Sequence, residues 1–170
     1  SLGSTELVIV RLLGGRGHWS YGLEQLRAWA AAEKGRELLV LAGTSEEDAS
    51  LVDLGTAPLP LALACSRCLC EGGAANWQAV LQSLAALLDG ADPSPPALQA
   101  IADPQPHDWR DEPGPRVGVV LYRALLQAGD LALADALLQA MRAAGLAPRA
   151  LWLSSLRDVA VQQGAADLLA

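Results

Sequence analysis

Residues 6–43 read ELVIVRLLGGRGHWSYGLEQLRAWAAAEKGRELLVLAG. Two apolar runs, Glu6–Leu13 and Arg36–Ala42, flank a segment whose apolar residues recur at helical spacing. Neither run alternates with polar residues, and unbroken apolar character suits a strand buried on both faces. Gly14-Gly15-Arg16-Gly17 stops the first run. Ser20 then offers an N-cap, and Leu23, Leu26 and Ala30 share one face of a helix running to about Lys34, with Gly35 as its stop. Strand, helix and strand within about 35 residues make one βαβ unit, and such units build parallel sheets.

The same order returns near the other end. Val117–Tyr122 (VGVVLY) reads as a strand. Asp130 is a candidate N-cap for a helix to Ala144, with Ala134, Leu137, Leu138 and Met141 on one face. Gly145 and Pro148 end it, Arg149–Leu153 (RALWL) is the next strand, and residues 158–170 read as a helix. Between the two units, Thr44–Ser50 is a loop entering a short helix, and Pro58 and Pro60 break the chain. Leu61–Cys70 is helical, Gly72-Gly73 interrupts it, and Trp77, Val80, Leu81, Leu84 and Leu88 mark an amphipathic helix closed by Gly90. Residues 91–116 hold seven of the ten prolines. That density predicts extended chain without regular pairing, with Ile101 and Trp109 as surface anchors. The expected architecture is α/β: two βαβ units with parallel strands flanked by helices, joined by a Pro-rich segment. Residues 1–90 form the first unit with a helical extension, 91–116 the linker and 117–170 a second, truncated unit.

The 170 residues are 52% hydrophobic, with mean hydropathy +0.25. Such a chain is not disordered as a whole, which would need low hydrophobicity and high charge. No apolar run reaches the roughly 18 residues of a membrane span. Twelve Lys and Arg against 19 Asp and Glu give −7, so the basic face of a general nucleic-acid binder is absent from the pattern. Lys34 is the only lysine. Three cysteines do not make a secreted disulfide scaffold in a chain of this length. With no leader-like segment before the first strand, the expected location is cytoplasmic. The opening Ser-Leu-Gly-Ser reads as a linker or cut end, and the reading therefore expects a fragment.

Gly14-Gly15-Arg16-Gly17-His18-Trp19-Ser20 stands between strand and helix, where phosphate-binding loops occur. Gly15 and Gly17 match the first two glycines of GxGxxG, but Ser20 replaces the third and Trp19 fills the loop. The second strand ends Leu41-Ala42-Gly43-Thr44, with no acid placed for a ribose. A tight turn needing positive φ is the simpler reading. Cys65, Cys68 and Cys70 form CxxCxC, one thiol short of a zinc set unless His18 or His107 completes it through the fold. On a helix Cys65 and Cys68 share a face and Cys70 does not, so small buried hydrophobes are the simpler account. No GxSxG or HExxH pattern is present. Ser45-Glu46-Glu47-Asp48 reads as an acidic helix N-terminus.

The residues themselves say more. Val8–Gly15 (VIVRLLGG), followed by Trp19–Leu26 (WSYGLEQL), resembles a stretch of the large subunit of aerobic cobaltochelatase, the CobN family related to the porphyrin-binding subunit of magnesium chelatase. Glu71-Gly72-Gly73 with Asn76 resembles that family's EGG-x-x-N element. Val117–Asp130 (VGVVLYRALLQAGD) and Leu151–Asp158 (LWLSSLRD) resemble a later block. The resemblance implies a large cytoplasmic protein holding a corrin-type ring, hydrogenobyrinic acid a,c-diamide, and inserting Co²⁺ as substrate metal. It also implies ATP with Mg²⁺ hydrolysed on the AAA+ partners CobS and CobT. No bound cofactor, nucleic-acid partner or membrane contact is expected of this chain, and the fragment alone is expected to be inactive.

Metal insertion into a tetrapyrrole strips water from the ion and removes two pyrrolic protons, tasks suited to imidazole and carboxylate groups. Those residues are expected mainly outside this chain. Arginines would pair with the ring's peripheral carboxylates, and open α/β sheets bind ligands at the carboxyl ends of their strands. The candidate substrate-binding residues are therefore Arg11, Gly14, Gly15, His18, Trp19, Tyr21 and Arg123, with no catalytic and no metal residue. Two alternatives stand beside this reading: a non-enzymatic module that docks AAA+ partners, and a Rossmann-like nucleotide-binding domain.

Overall fold

A computed structural model describes residues 2–169. Its first sheet is a parallel pair, β1 (Leu7–Leu12) and β2 (Glu37–Ala42), in register from Leu7 opposite Glu37 to Leu12 opposite Ala42. α1 (Ser20–Ala31) connects them, so the expected βαβ unit is present. β2 is buried along almost its whole length. Leu38, Val40 and Ala42 pack with Leu23, Leu26 and Ala30 of α1. Leu39 and Leu41, on the opposite face, pack with α3 (Leu59–Glu71) and α4 (Ala74–Leu88) through Leu61, Cys65, Cys68, Leu69, Val80 and Leu84. The unbroken apolar run thus serves two cores. A short α2 (Ala49–Val52) lies between β2 and α3.

The second sheet has order β3-β5-β4, from β3 (Gln105–His107), β4 (Arg116–Tyr122) and β5 (Ala147–Leu153). β4 and β5 are parallel, and β4 leads to β5 through α5 (Arg123–Ala128) and α6 (Ala132–Ala143). Leu151 and Leu153 pack with Val161 and Ala165 of α7 (Val159–Leu169) and with Trp109. The structure separates into two compact units: Ser1–Glu71 with Ala75–Gln99, and Gly72–Ala74 with Ala100–Ala170. The boundary falls inside the Pro-rich stretch, between Gln99 and Ala100.

Four local expectations differ from the structure. The Pro-rich stretch does pair: β3 runs antiparallel to β5, with Gln105 opposite Trp152 and His107 opposite Ala150. The bond from Ala147 N–H to Pro115 O (2.9 Å) sets odd-numbered β5 groups toward β4 and even-numbered ones toward β3. Pro106, opposite Leu151, therefore turns its nitrogen away from the ladder, where the missing N–H costs no bond. Ser20 is not the N-cap of α1. Trp19 holds that place without a side-chain cap, because Gly22 leaves room for its indole to fold over the first turn. Asp130 does not cap α6, whose N-cap is Leu131, and its N–H instead bonds Leu125 O. On α4 the buried face is Asn76, Val80 and Leu84, while Trp77 and Leu81 are exposed. Ile101 and Trp109 do act as anchors: Ile101 lies against Gly73, and Trp109 Nε1 donates to Ala150 O at 2.7 Å.

Candidate functional site

β1 and β2 part after the bond from Gly43 N–H to Leu12 O (2.7 Å). Beyond it a cavity of about 340 Å³ opens at the carboxyl ends of the strands, lined by Leu12, Gly14, Gly15, Ala42, Thr44, Glu46, Glu47, Asp48 and Leu51. Gly14 and Gly15 take φ of 86° and 78°, the left-handed region that favours glycine. The chain can turn back there only with little or no side chain, and a short 3₁₀ turn over Arg16–His18 follows.

The loop fills itself. The His18 imidazole lies against Gly14, where an added Cβ would stand 2.7 Å from the ring. The Trp19 indole lies against Gly22. What remains open to solvent is apolar and aromatic: Leu13, Trp19 and Tyr21 are 71%, 46% and 72% exposed. A nucleotide-binding loop would instead present backbone N–H groups in an unobstructed concavity.

The cavity rim is acidic, a feature the sequence does not show because Ser45-Glu46-Glu47-Asp48 reads simply as the start of a helix. Asp48 does cap α2. Its Oδ1 accepts from Ser50 Oγ (2.6 Å), Ser50 N (2.9 Å) and Leu51 N (3.3 Å). The Ser50 hydroxyl, seconded by the two amides and opposed by slight desolvation, holds the carboxyl below its usual range. Glu47 pairs with Arg67 at 2.9 Å. Carboxylates here repel an anionic ligand and attract a cationic one.

Arg11 leaves the end of β1 beside this rim. Its Nη2 donates to Cys70 Sγ (3.3 Å) and to Gly43 O (3.5 Å), while Cys70 Sγ donates to Thr44 O (3.1 Å). Cys65 and Cys68 lie apart from Cys70 in the core, as helical spacing predicts. Burial, seconded by its neighbour Cys68, pushes the Cys65 thiol up to about 12, and burial raises that of Cys68 as well. Both are therefore protonated at neutral pH and unsuited to attack as thiolates. Among the described residues no group of three or more His, Cys, Asp or Glu is arranged to hold a metal ion.

Arg123 lies in the other unit, at the carboxyl end of β4. Its side chain is only 16% exposed. Nη2 donates to Ile101 O (2.6 Å), and Nη1 stands 3.7 Å from Asp103 Oδ2. Asp103 Oδ1 accepts from Ser154 N (3.1 Å) at the end of β5. The guanidinium thus ties the start of the 100–107 segment to the sheet. Of the seven expected residues, six cluster at the end of β1 and Arg123 stands in the second unit.

A family profile described as CobN/Magnesium Chelatase matches residues 66–170. This chain belongs to that family. The aerobic cobaltochelatase subunit CobN of a Sinorhizobium species is 33% identical over 174 residues, covering 90% of this chain and 14% of the relative. CobN of Pseudomonas aeruginosa is 31% identical over 169 residues, covering 91% and 13%. Among solved structures, the catalytic subunit of cobaltochelatase from Mycobacterium tuberculosis superposes with a TM-score of 0.80 and 28% identity, over 96% of this chain and 14% of that one. The chain therefore spans about one seventh of the length of the CobN relatives it matches. Among the described residues no helix is long and apolar enough to cross a membrane.

Proposed function

We propose that this chain works as part of a cobaltochelatase large subunit. That subunit would insert Co²⁺ into hydrogenobyrinic acid a,c-diamide, on the route to cobalamin, in the cytoplasm. ATP would be hydrolysed on CobS and CobT. The observation that carries the reading is the likeness, over nearly the whole chain, to a solved cobaltochelatase catalytic subunit.

Within such a subunit the chain is read as scaffold, with ring contact confined to the exposed faces of Trp19 and Tyr21 beside the Gly14-Gly15 turn. Three observations support scaffold over a cradle of arginines. Arg123 is held by Ile101 and Asp103, Arg11 by Gly43 and Cys70, and the cavity at the carboxyl ends of β1 and β2 is rimmed by carboxylates. A ring with peripheral carboxylates would be repelled by that rim, whereas indole and phenol faces stack on an extended ring without charge. Titration with hydrogenobyrinic acid a,c-diamide, followed by Trp emission with NAD as control, tests this. Saturable quenching by the ring, lost in Trp19→Ala, supports contact at the turn. A folded sample that binds no ring confines the role to scaffold or partner docking.

A further inference from the structure

The two outer edges of the first sheet differ. On the far edge of β2, Leu38 N–H donates to Thr56 Oγ1 (2.8 Å), and Leu38 O accepts from Thr56 N–H (2.8 Å). The chain's own connection between α2 and α3 occupies that side at this point. Among the described residues the far edge of β1 has no such cover. The bonds from Glu37 N–H to Glu6 O and from Gly43 N–H to Leu12 O (both 2.7 Å), with the parallel register, turn the backbone groups of residues 6, 8, 10 and 12 toward β2. Leu7, Ile9 and Arg11 therefore turn theirs outward, and among the described residues no backbone bond from outside the sheet ends on them.

Apart from exposed Arg11, β1 is also apolar on both faces and only half-buried. Leu7 and Ile9 pack on the α3–α4 side, and Val8, Val10 and Leu12 on the α1 side. An apolar strand with an open row of N–H and C=O groups is a template for another strand, and proteins normally blunt such edges. The edge strand β3 carries Pro106 with its nitrogen outward, whereas β1 has no proline.

We propose that the outer edge of β1 is an interface for one further β-strand, apolar on both faces, supplied by the remainder of the same polypeptide. This rests on the reading of the chain as part of a cobaltochelatase-length subunit. The matched segment is 14% of the Sinorhizobium relative, so most of such a polypeptide lies outside it. A second copy of the chain fits less well. Antiparallel self-pairing through the outward groups sets odd-numbered residues opposite odd-numbered ones. Arg11 would then face Thr5, Leu7, Ile9, Leu13 or another Arg11, never a carboxylate.

The test is residue-resolved hydrogen exchange on the full-length polypeptide that carries this chain. An occupied edge protects the amides of Leu7, Ile9 and Arg11 to within about tenfold of those of Val8, Val10 and Leu12. Alternation along the strand, with the outward amides exchanging at least about a hundredfold faster, overturns the proposal. So does protection that appears only as a concentration-dependent dimer forms, which would assign the edge to a second copy. Ile9→Pro and Ile9→Ala separate strand pairing from side-chain packing. The proline removes only an outward N–H, so β1 keeps its bonds to β2 while an incoming strand is blocked. Loss of protection at Leu7 and Arg11 in Ile9→Pro alone is the expected result, and equal loss in both variants overturns it. Cobalt insertion measured on the same wild-type preparation keeps the two readings apart. Activity with an alternating edge sinks only the strand proposal, and a protected edge without activity sinks only the chelatase reading.

Discussion

Trp19 and Gly22 form a single packing unit at the start of α1. Any side chain at residue 22 meets the indole, so the glycine is there for space, since its backbone is helical. Gly22→Ala should expel the indole, red-shift Trp emission and lower stability by about 1–2 kcal/mol, the scale of an overpacked contact. In a Trp19→Ala background the sign should reverse, because alanine exceeds glycine within a helix by about 1 kcal/mol. Urea titration of the two single variants and the double variant measures both signs. The sequence showed a bulky residue in the glycine loop. It could not show that a glycine three positions later makes room for it, because that depends on the side chain's rotamer.

At the scale of elements, hydrogen bonds and ion pairs hold residues 105–112 to α6. His107 Nε2 lies 2.8 Å from Asp135 Oδ1. Arg142 reaches Asp108 Oδ2 (2.8 Å), Asp108 O (2.8 Å) and Glu112 Oε1 (2.7 Å). Asp108 itself has φ of 46°, uncommon outside glycine but tolerated by Asp and Asn. The Arg110 hydrogen bond, seconded by Arg142 and opposed by slight desolvation, holds its carboxyl below the usual range. Its stabilisation is thus complete above the unfolded value of about 3.9 and is lost as pH falls through the lower native value. Melting temperature followed from pH 5 to pH 2 should fall less steeply in Asp108→Asn, which keeps the backbone conformation and removes the charge. A variant as pH-sensitive as wild type would place the acid-labile contacts elsewhere. Strands and long helices were legible because their apolar pattern reports burial. β3 was not: three residues around a proline show no period, and only the register with β5 reveals which way Pro106 faces. Asn76 was legible as a motif and not as a mechanism. Its side chain is buried and exchanges two bonds with the Gln99 backbone, at 2.8 and 2.9 Å.

At the scale of the molecule, the described residues form cores on each side of β2 and beside β5. Leu41 and Leu151 are both fully buried, in different units. Each Leu→Ala change should cost about 2–5 kcal/mol. Hydrogen exchange should locate the Leu41→Ala loss in residues 7–99 and leave the β4–β5 amides near their wild-type rates; uniform acceleration across both units would mean one cooperative body. The pair of βαβ units was readable because both strands of each carry their own apolar run. The division between Gln99 and Ala100 was not, because prolines mark where a chain is stiff and leave open which core it lies on.

Lys34, the only lysine, stands exposed in the turn between α1 and β2, beside Gly35 at φ 88°. That turn leads into the amino end of β2, and the acidic cavity opens beyond its carboxyl end. Six strand residues separate them, about 20 Å at the usual rise. An amine-reactive dye therefore has one side-chain target, set a strand's length from the cavity and clear of it. The molecule carries a built-in attachment point from which ligand arrival at the glycine turn can be watched without altering the turn.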